Sequence, residues 1–499
     1  MTQESAAAAY AAPTRRAAAP ASNAPLRKLY LALSEAAPDP AALAAAADWL
    51  AVRLQESAAA ASSLPAPGHG AAFTAFLAAR QDEIDEQYKQ YVAERRAGAP
   101  RRMFSGRAHA LYYLKAIAPI RLTDGAWLYG ALARWNEPAM RPLIATYLVE
   151  LGNGVPDKYH VVIFQQFIDA HGSNGWQRLA EHHFDGGLTQ LTLAHHAERF
   201  FPELIGYNLG AERADLDAQI AAYELNEMGI DPYYFTLHVS ADNSITGHAS
   251  LALDALRSLT PNDETTAGFL RRVDAGYRLH HLAADNAALL SGFALRAELE
   301  AALAVKNVAL YHPANTVRIG ARALPEWFGD SEAAPQLLEL LESEGWLVRG
   351  EDAAASRLWA LIESADPDTP AEALPLASLF TEYELALLAD WASTPSQGTA
   401  HAPVRLVTTP PRRINPAPPA APERVRESAE RGIIRHRFPD DEHGWEALAN
   451  ELSLLEARIV ASNSKEEAIA LLAALMGPAR HHASTGLMAT RMFSQLFSA

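Results

Sequence analysis

Three side chains that commonly bind metal ions lie within eleven residues of an otherwise apolar stretch, HVSADNSITGH. His238 and Asp242 are four residues apart, so on a regular helix they project from one face, one turn apart. His248 follows six residues later and would turn away from Asp242 on an ideal helix. The intervening NSITG weakens a helix, and we expect a π-bulge or an unwound turn there to bring His248 back. The spacing therefore predicts metal ligands on a locally irregular helix.

Further carboxylates and an imidazole occur upstream, near predicted helix ends. In YLVELGNGVPDKYHVVIF, glycines and a proline separate Glu150 from His160, so the end of one helix and the next helix can face a common point. Glu212 lies in NLGAERADLDAQIAAYELNEMGI, interpreted as the helix before the one that carries His238. Asp124 stands at the opening of another predicted helix, in IAPIRLTDGAWLYGAL. The candidate ligands are therefore Asp124, Glu150, His160, Glu212, His238, Asp242 and His248.

This set of four carboxylates and three imidazoles suits two ferrous ions, because the four negative charges neutralise two divalent cations. Without metal, the buried carboxylates would repel one another, and each would cost several kcal/mol in desolvation. Cysteine is absent from the chain, which excludes thiolate-ligated haem, iron–sulfur clusters, disulfides and a cysteine nucleophile. A dimetal site built on nitrogen and oxygen ligands is therefore predicted, with iron or manganese favoured over zinc.

Composition limits the fold and the class of partner. The chain has 499 residues, 49% of them hydrophobic, and a formal net charge of −17, which allows roughly two to four structural units. Alanine, leucine and arginine dominate and alternating β-branched runs are few, which predicts a mostly helical, soluble protein. The negative charge argues against nucleic acid and anionic membranes as partners. No transmembrane span and no secretory signal are recognised, so a cytoplasmic location is expected.

Changes in composition and helix-breaking clusters divide the chain into six segments. They are a disordered leader (1–25), N-terminal helices (26–103), a helical core (104–310), a small helical segment (311–393), a proline-rich linker (394–424) and a C-terminal helical segment (425–499). The core is predicted to contain about six to eight helices, with one of the breaks at residues 202–210. In the fourth segment, QLLELLESEGWLVRGEDAAASRLWALIE resembles the helix, short hairpin and helix of a small winged domain.

ELGNGVPDKYH, followed by GIDPYYFTLHVSADNSITGHASLA, resembles the haem-oxygenase-like diiron oxidases and oxygenases, a family of iron-containing redox enzymes. The resemblance covers about residues 104–300. It implies an all-α, haem-oxygenase-like helical bundle, here with additional helical N-terminal and C-terminal segments, that binds two irons and no haem. The family's ligands occur in the same order as the seven candidates. Asp124 stands where many relatives have glutamate, and the gap between Asp242 and His248 is longer than in the family.

Several alternatives to this ligand set remain open. Glu224 and Glu227 compete with Glu212, because they lie closer in sequence to His238. Asp124 is alternatively a helix N-cap. The remaining histidine doublets are interpreted as solvated or hydrogen-bonded side chains: 182–183, 195–196, 280–281 and 481–482.

The resemblance implies a diiron oxygenase or oxidase that activates dioxygen, its co-substrate, through a peroxo-diiron intermediate. The family's outcomes include N-oxygenation of amines, oxidative C–C cleavage and desaturation. We expect N-oxygenation of a small amine or amino-acid-derived substrate, with the other two outcomes as the alternative. An electron donor and a homodimeric state are left open. A haem-binding protein, a metal-free helical binding protein and a zinc hydrolase are the alternatives of other classes.

Overall fold

The computed structural model describes residues 25–59, 70–213, 215–241, 248–283, 286–306, 317–363, 379–394 and 442–498. These residues form an all-α fold, which confirms the predicted fold class. A minimal hairpin of β1 (Arg318–Ile319) and β2 (Arg322–Ala323) pairs antiparallel, with Arg318 opposite Ala323. Among the described helices, none is both long and apolar enough to cross a membrane. Residues 1–24 of the predicted leader and 395–424 of the predicted linker lie outside the described residues.

Three helices precede the central part of the chain, and they are α1 (Leu26–Leu33), α2 (Pro40–Ala59) and α3 (Gly70–Arg96). The central helices are α4 (Arg107–Arg121), α5 (Arg141–Glu150), α6 (His160–Ala170), α7 (Asp185–His195), α8 (Phe201–Ala211), α9 (Leu216–Glu227), α10 (Tyr233–Ala241), α11 (His248–Leu259), α12 (Thr266–Ala283), α13 (Asn286–Ser291) and α14 (Leu295–Ala304). Over the described residues this part is divided more finely than the six to eight helices predicted. Short 3₁₀ segments and turns, which hydrophobic periodicity does not mark, separate the helices.

The later helices are α15 (Ala333–Ser343), α16 (Arg357–Glu363), α17 (Glu382–Ser393), α18 (Glu442–Val460), α19 (Lys465–Leu475) and α20 (Ser484–Ser498). The predicted winged arrangement is wrong, because the β1–β2 hairpin precedes α15 instead of following it. Among the described residues, a 3₁₀ turn at Ala353–Ala355 joins α15 to α16. α17 packs on α4, where the Asp390 carboxylate accepts the backbone N–H of Ala108 at 2.8 Å.

Two hydrophobic clusters fill the interior. The first joins α1, α2, α5, α7, α8 and α12 with α19 and α20, and it contains Trp127 and Tyr207. The second joins α3, α4, α6, α9 and α10 with α14, α15 and α17, and it contains Ile117 and Phe235. Trp127, Ile117 and Phe235 line one cavity, so that cavity lies between the two clusters.

α8 and α12 pack against each other along the stretch predicted as a break at 202–210, where α8 is continuous. A Cβ at Gly206 would lie 1.8 Å from the carbonyl oxygen of Val273, and a Cβ at Gly276 would lie 1.9 Å from that of Glu203. These glycines are therefore needed for close approach of two helix backbones. The prediction of a break was wrong because the glycine in this stretch allows close contact between two helices and does not end a helix.

Candidate metal centre

Asp124, Glu150 and His160 lie at the ends of three helices. Asp124 is in the turn after α4, Glu150 is the last residue of α5, and His160 is the first residue of α6. The 3₁₀ segment after Asp124, Ala126–Arg134, has Gly125 as its N-cap residue and no side-chain cap. Asp124 therefore does not act as the N-cap that the sequence left as its alternative role.

The turn between α5 and α6 brings its two flanking side chains together. Gly152 has a φ of +59°, and a Cβ there would lie 2.7 Å from the backbone nitrogen of Tyr159. Only glycine fits such a tight turn without strain. Across it, His160 Nδ1 lies 2.8 Å from Glu150 Oε2. The predicted convergence of a carboxylate and an imidazole across this break is therefore observed.

His238 approaches Asp124 from α10. Its Nε2 lies 2.9 Å from Asp124 Oδ2, and the Tyr234 hydroxyl donates to the same oxygen at 3.1 Å. His160 Nδ1 is 3.9 Å from that oxygen, and the rings of His160 and His238 are 4.1 Å apart between centroids. One ligand atom each from Asp124, His160 and His238 lie within 4.8 Å of one another. These three side chains form a group that could hold a metal ion.

Both ring nitrogens of His238 face oxygen acceptors. Nδ1 lies 2.9 Å from the carbonyl oxygen of Tyr234, and when it donates there, a neutral ring directs the Nε2 lone pair at Asp124. Burial and the neighbouring His160 lower the pKa of His238, although Asp124 opposes this, so the doubly protonated ring is disfavoured. A metal cation between the imidazole and the carboxylate would satisfy both groups.

The carboxylate itself is kept ionised. Burial raises the pKa of Asp124, but the hydrogen bond to His238 and the positive charge of Arg121 outweigh burial and hold the pKa below its ordinary value. The spacing also fits a metal centre, because adjacent donors around an octahedral ion lie about 3 Å apart. The donor set and its separation therefore suit a divalent ion.

Asp124, Glu150, Glu212 and His238 all line one cavity of about 210 Å³. Glu212 does not lie in α9 as predicted. It caps the end of α8, because α9 begins only at Leu216. Glu212 is buried and shares the cavity, although it does not belong to the tight group of three ligand atoms.

The last two candidates are only partly described. Asp242 lies outside the described residues, together with the predicted irregular turn, and so does the side chain of His248. The backbone is described up to Ala241 at the end of α10 and again from His248, the first residue of α11. Asp242 is the next residue after α10 in the sequence, and His248 begins α11.

The two glutamates considered as alternatives to Glu212 are engaged elsewhere. Glu224 accepts the Tyr91 hydroxyl at 2.6 Å and three backbone N–H groups, the shortest at 2.6 Å. Glu227 forms an ion pair with Arg95 at 2.7 Å. Both therefore stabilise the packing of α3 and α9.

Sequence reasoning did not identify three further polar residues around the centre. Tyr234 was noted only as a nearby aromatic residue, although its hydroxyl and its carbonyl contact both Asp124 and His238. Arg121 lines the cavity but was not singled out, and His280 was interpreted as part of a solvated or hydrogen-bonded doublet, whereas its Nδ1 is buried without a hydrogen-bond partner among the described residues. The available signals were spacings: Arg121 lies three residues before Asp124, and His280 lies one helical turn after the packing glycine Gly276.

Comparison with known proteins adds one match. Residues 111–279 match a protein family described as iron-containing redox enzyme. No curated protein and no solved structure matches the chain. The match confirms the predicted resemblance and the haem-oxygenase-like all-α fold, and it supports an iron-dependent oxidoreductase. All seven candidate ligands lie inside the matched segment.

Proposed function

We propose, from the membership of residues 111–279 in the family of iron-containing redox enzymes, that this chain binds two iron ions and uses dioxygen to oxidise a small molecule. The observation that carries the proposal is the approach of two imidazoles to one buried carboxylate. His238 Nε2 lies 2.9 Å and His160 Nδ1 lies 3.9 Å from Asp124 Oδ2. Since burial disfavours the charged imidazolium form of His238, one of its ring nitrogens keeps a lone pair that can bind a metal cation.

The chain offers enough donors for two ions. Asp124, His160 and His238 supply the first group. Glu150 and Glu212 line the same cavity. The full proposed set of ligands is Asp124, Glu150, His160, Glu212, His238, Asp242 and His248. Mixed carboxylate and imidazole ligands of this kind suit iron.

Bound ferrous ions supply electrons for the reduction of dioxygen, which amino-acid side chains do not supply. The chain's own residues orient the ligands. Tyr234 donates its hydroxyl hydrogen to Asp124 and accepts from His238 at its carbonyl, and Glu150 contacts His160. Outer contacts of this type fix ring orientation and raise ligand basicity.

The proposed reaction is N-oxygenation of a small amine. A primary amine, dioxygen, two electrons and two protons give a hydroxylamine and water, so a reductant must supply the electrons. Asp215 and Asp217 line the cavity and would attract a cationic amine. Oxidative C–C cleavage and desaturation are the competing outcomes, and they are distinguished by their carbonyl and alkene products.

Metal analysis of the full-length chain, with oxygen consumption in the presence of candidate amines, tests the proposal. We expect about two irons per chain, faster oxygen uptake with an amine, and a hydroxylamine product by mass spectrometry. His238→Ala should lose iron, whereas His182→Ala, a matched change of an exposed histidine, should retain it. A Soret band would instead indicate haem, and a folded chain that takes up no metal would indicate a binding protein.

A further inference from the structure

Arg121 lines the cavity of the candidate metal centre. Among the described residues its one ion pair is with Asp124, at 3.8 Å, which is too long for a hydrogen bond. Its Nε is buried and has no hydrogen-bond partner there. A buried donor that makes no hydrogen bond is costly. The guanidinium of Arg121 therefore has hydrogen-bonding capacity that the described part of the chain does not satisfy.

The negative charge of Asp124 cannot fully neutralise Arg121 while the same carboxylate also binds a metal ion. Its Oδ2 already faces His238 and accepts the Tyr234 hydroxyl. In the proposed centre the charge of this carboxylate is shared with a divalent ion, and that ion repels the guanidinium. The hydrogen-bond donors of Arg121 then remain available to a ligand in the cavity.

His280 contributes a second nitrogen without a partner. It lines the same cavity, and its buried Nδ1 has no hydrogen-bond partner among the described residues. The ring is held by close contacts with α8, because a Cβ at Gly210 would lie 3.0 Å from Nδ1 and the Tyr207 ring is 5.1 Å away between centroids. Burial, and after it the nearby His281, Arg213 and Arg121, lower the pKa of His280 well below its ordinary value. A neutral ring there can donate one hydrogen bond.

A second arginine of the cavity provides a contrast. Arg213 also lines it, but its guanidinium donates to the Tyr277 hydroxyl at 3.1 Å and lies 3.1 Å from His281 Nδ1. Its nitrogen atoms are therefore engaged with neighbouring side chains. Arg121 is the cavity arginine whose donors are left for a ligand.

We infer that Arg121, assisted by His280, binds a carboxylate group of the substrate inside the cavity. A guanidinium can give a carboxylate two parallel hydrogen bonds, and the imidazole can add a third. The cavity volume of about 210 Å³ exceeds the roughly 150 Å³ that suffices for benzene, so a short-chain acid or amino acid fits. The inference rests on the proposed function in taking this cavity as the substrate site, and it narrows the substrate to small carboxylic acids.

Calorimetric titration with hexanoate tests the inference, with hexanamide as the uncharged probe of the same shape. Full-length protein is titrated both without metal and after anaerobic loading with ferrous iron, so no turnover occurs. We expect Arg121→Gln to weaken hexanoate binding about 10- to 100-fold and to leave hexanamide binding unchanged. Arg178→Gln removes the same charge from an exposed position and should bind hexanoate like wild type.

Two further variants distinguish a specific loss of carboxylate binding from misfolding of the protein. Arg121→Lys keeps the charge but not the fork of donors, so we expect hexanoate affinity between those of wild type and Arg121→Gln. His280→Gln should weaken hexanoate binding several-fold while retaining iron. Equal hexanoate affinity in wild type, Arg121→Gln and Arg121→Lys would overturn the inference, because the carboxylate would then bind elsewhere or directly to iron.

The iron content separates this inference from the proposed function. If wild type takes up no iron but binds hexanoate in an Arg121-dependent way, the carboxylate site stands and the proposed function fails. If the loaded enzyme consumes oxygen and hexanoate affinity is the same without the guanidinium, the carboxylate site alone fails. Loss of iron in Arg121→Gln, with hexanoate binding intact, would make Arg121 a partner of Asp124 only and would also reject the site.

Discussion

Two buried carboxylates of this protein have opposite surroundings. Glu224 is 0% exposed and accepts hydrogen bonds from Tyr91 and from three backbone N–H groups. Asp124 is 5% exposed, and its Oδ2 lies 2.9 Å from Nε2 of His238. The contacts of Glu224 are four hydrogen-bond donors, whereas Asp124 lies beside two imidazoles whose ring nitrogens could also bind a metal ion.

This difference separates structural acids from candidate ligands. Burial of an anion is tolerated where the protein itself provides enough donors, as around Glu224. Around Asp124 the second imidazole, His160, and the carboxylate of Glu150 add further groups that favour a cation. The chemical type of the neighbouring groups, more than the degree of burial, therefore distinguishes a structural acid from a candidate metal ligand.

The largest expected effect is on metal binding when the charge of Asp124 is removed. Asp124→Asn keeps the shape of the side chain but removes the anion, so we expect iron affinity to fall more than about 100-fold. Equilibrium dialysis with iron analysis, with circular dichroism as the control for folding, measures the change. Full iron content in a folded Asp124→Asn protein would remove Asp124 from the ligand set.

The matching change in the structural acid should affect stability. Glu224→Gln presents an amide to four donors that now bind a carboxylate, so we expect a loss of about 3 kcal/mol in the free energy of unfolding. Urea denaturation measures this loss, and the iron content per folded chain should equal that of wild type. A parallel loss of iron and no loss of stability would reverse the roles assigned to the two acids.

Much of the fold was predictable from the sequence, because helix formers and breakers act locally. The glycines after Glu150 lie where a helix ends, as expected. The prediction failed at residues 202–210, since a glycine that permits close helix packing resembles one that ends a helix. Only the three-dimensional contact with Val273 distinguishes the two uses.

The candidate site was predictable to a similar extent. The sequence predicted that Glu150 and His160 face each other across a break, and the structure has them 2.8 Å apart. Their role as ligands stays a prediction. The contribution of His280 was not predictable, because α12 lies far along the chain and meets the cavity only through its packing on α8. Spacing along one helix carries no information about such contacts.

A smaller effect on iron affinity is expected from Tyr234, whose hydroxyl contacts Asp124. Tyr234→Phe removes the hydroxyl that donates to Asp124 Oδ2 but keeps the ring and the carbonyl that faces His238. We expect iron affinity to fall about tenfold, as for other outer contacts of metal ligands. Iron titration measures this, and Tyr233→Phe, at an exposed neighbouring tyrosine, is the control. Identical affinities would mean that the carboxylate needs no support from Tyr234.

The smallest expected effect concerns a third acid, which lies between the two extremes. Burial raises the pKa of Glu382, but hydrogen bonds from His171 and Arg107 outweigh burial and lower the pKa to about 2. Because this value lies below the unfolded value of about 4.3, the stabilisation is present above that pH and is lost as pH falls towards 2. We expect about 1 kcal/mol, since the side chain is 38% exposed and solvent screens the pair. Urea denaturation between pH 5 and 2 should show a steeper loss for wild type than for Glu382→Gln, and parallel curves would mean that Glu382, unlike Glu224, contributes nothing to the fold.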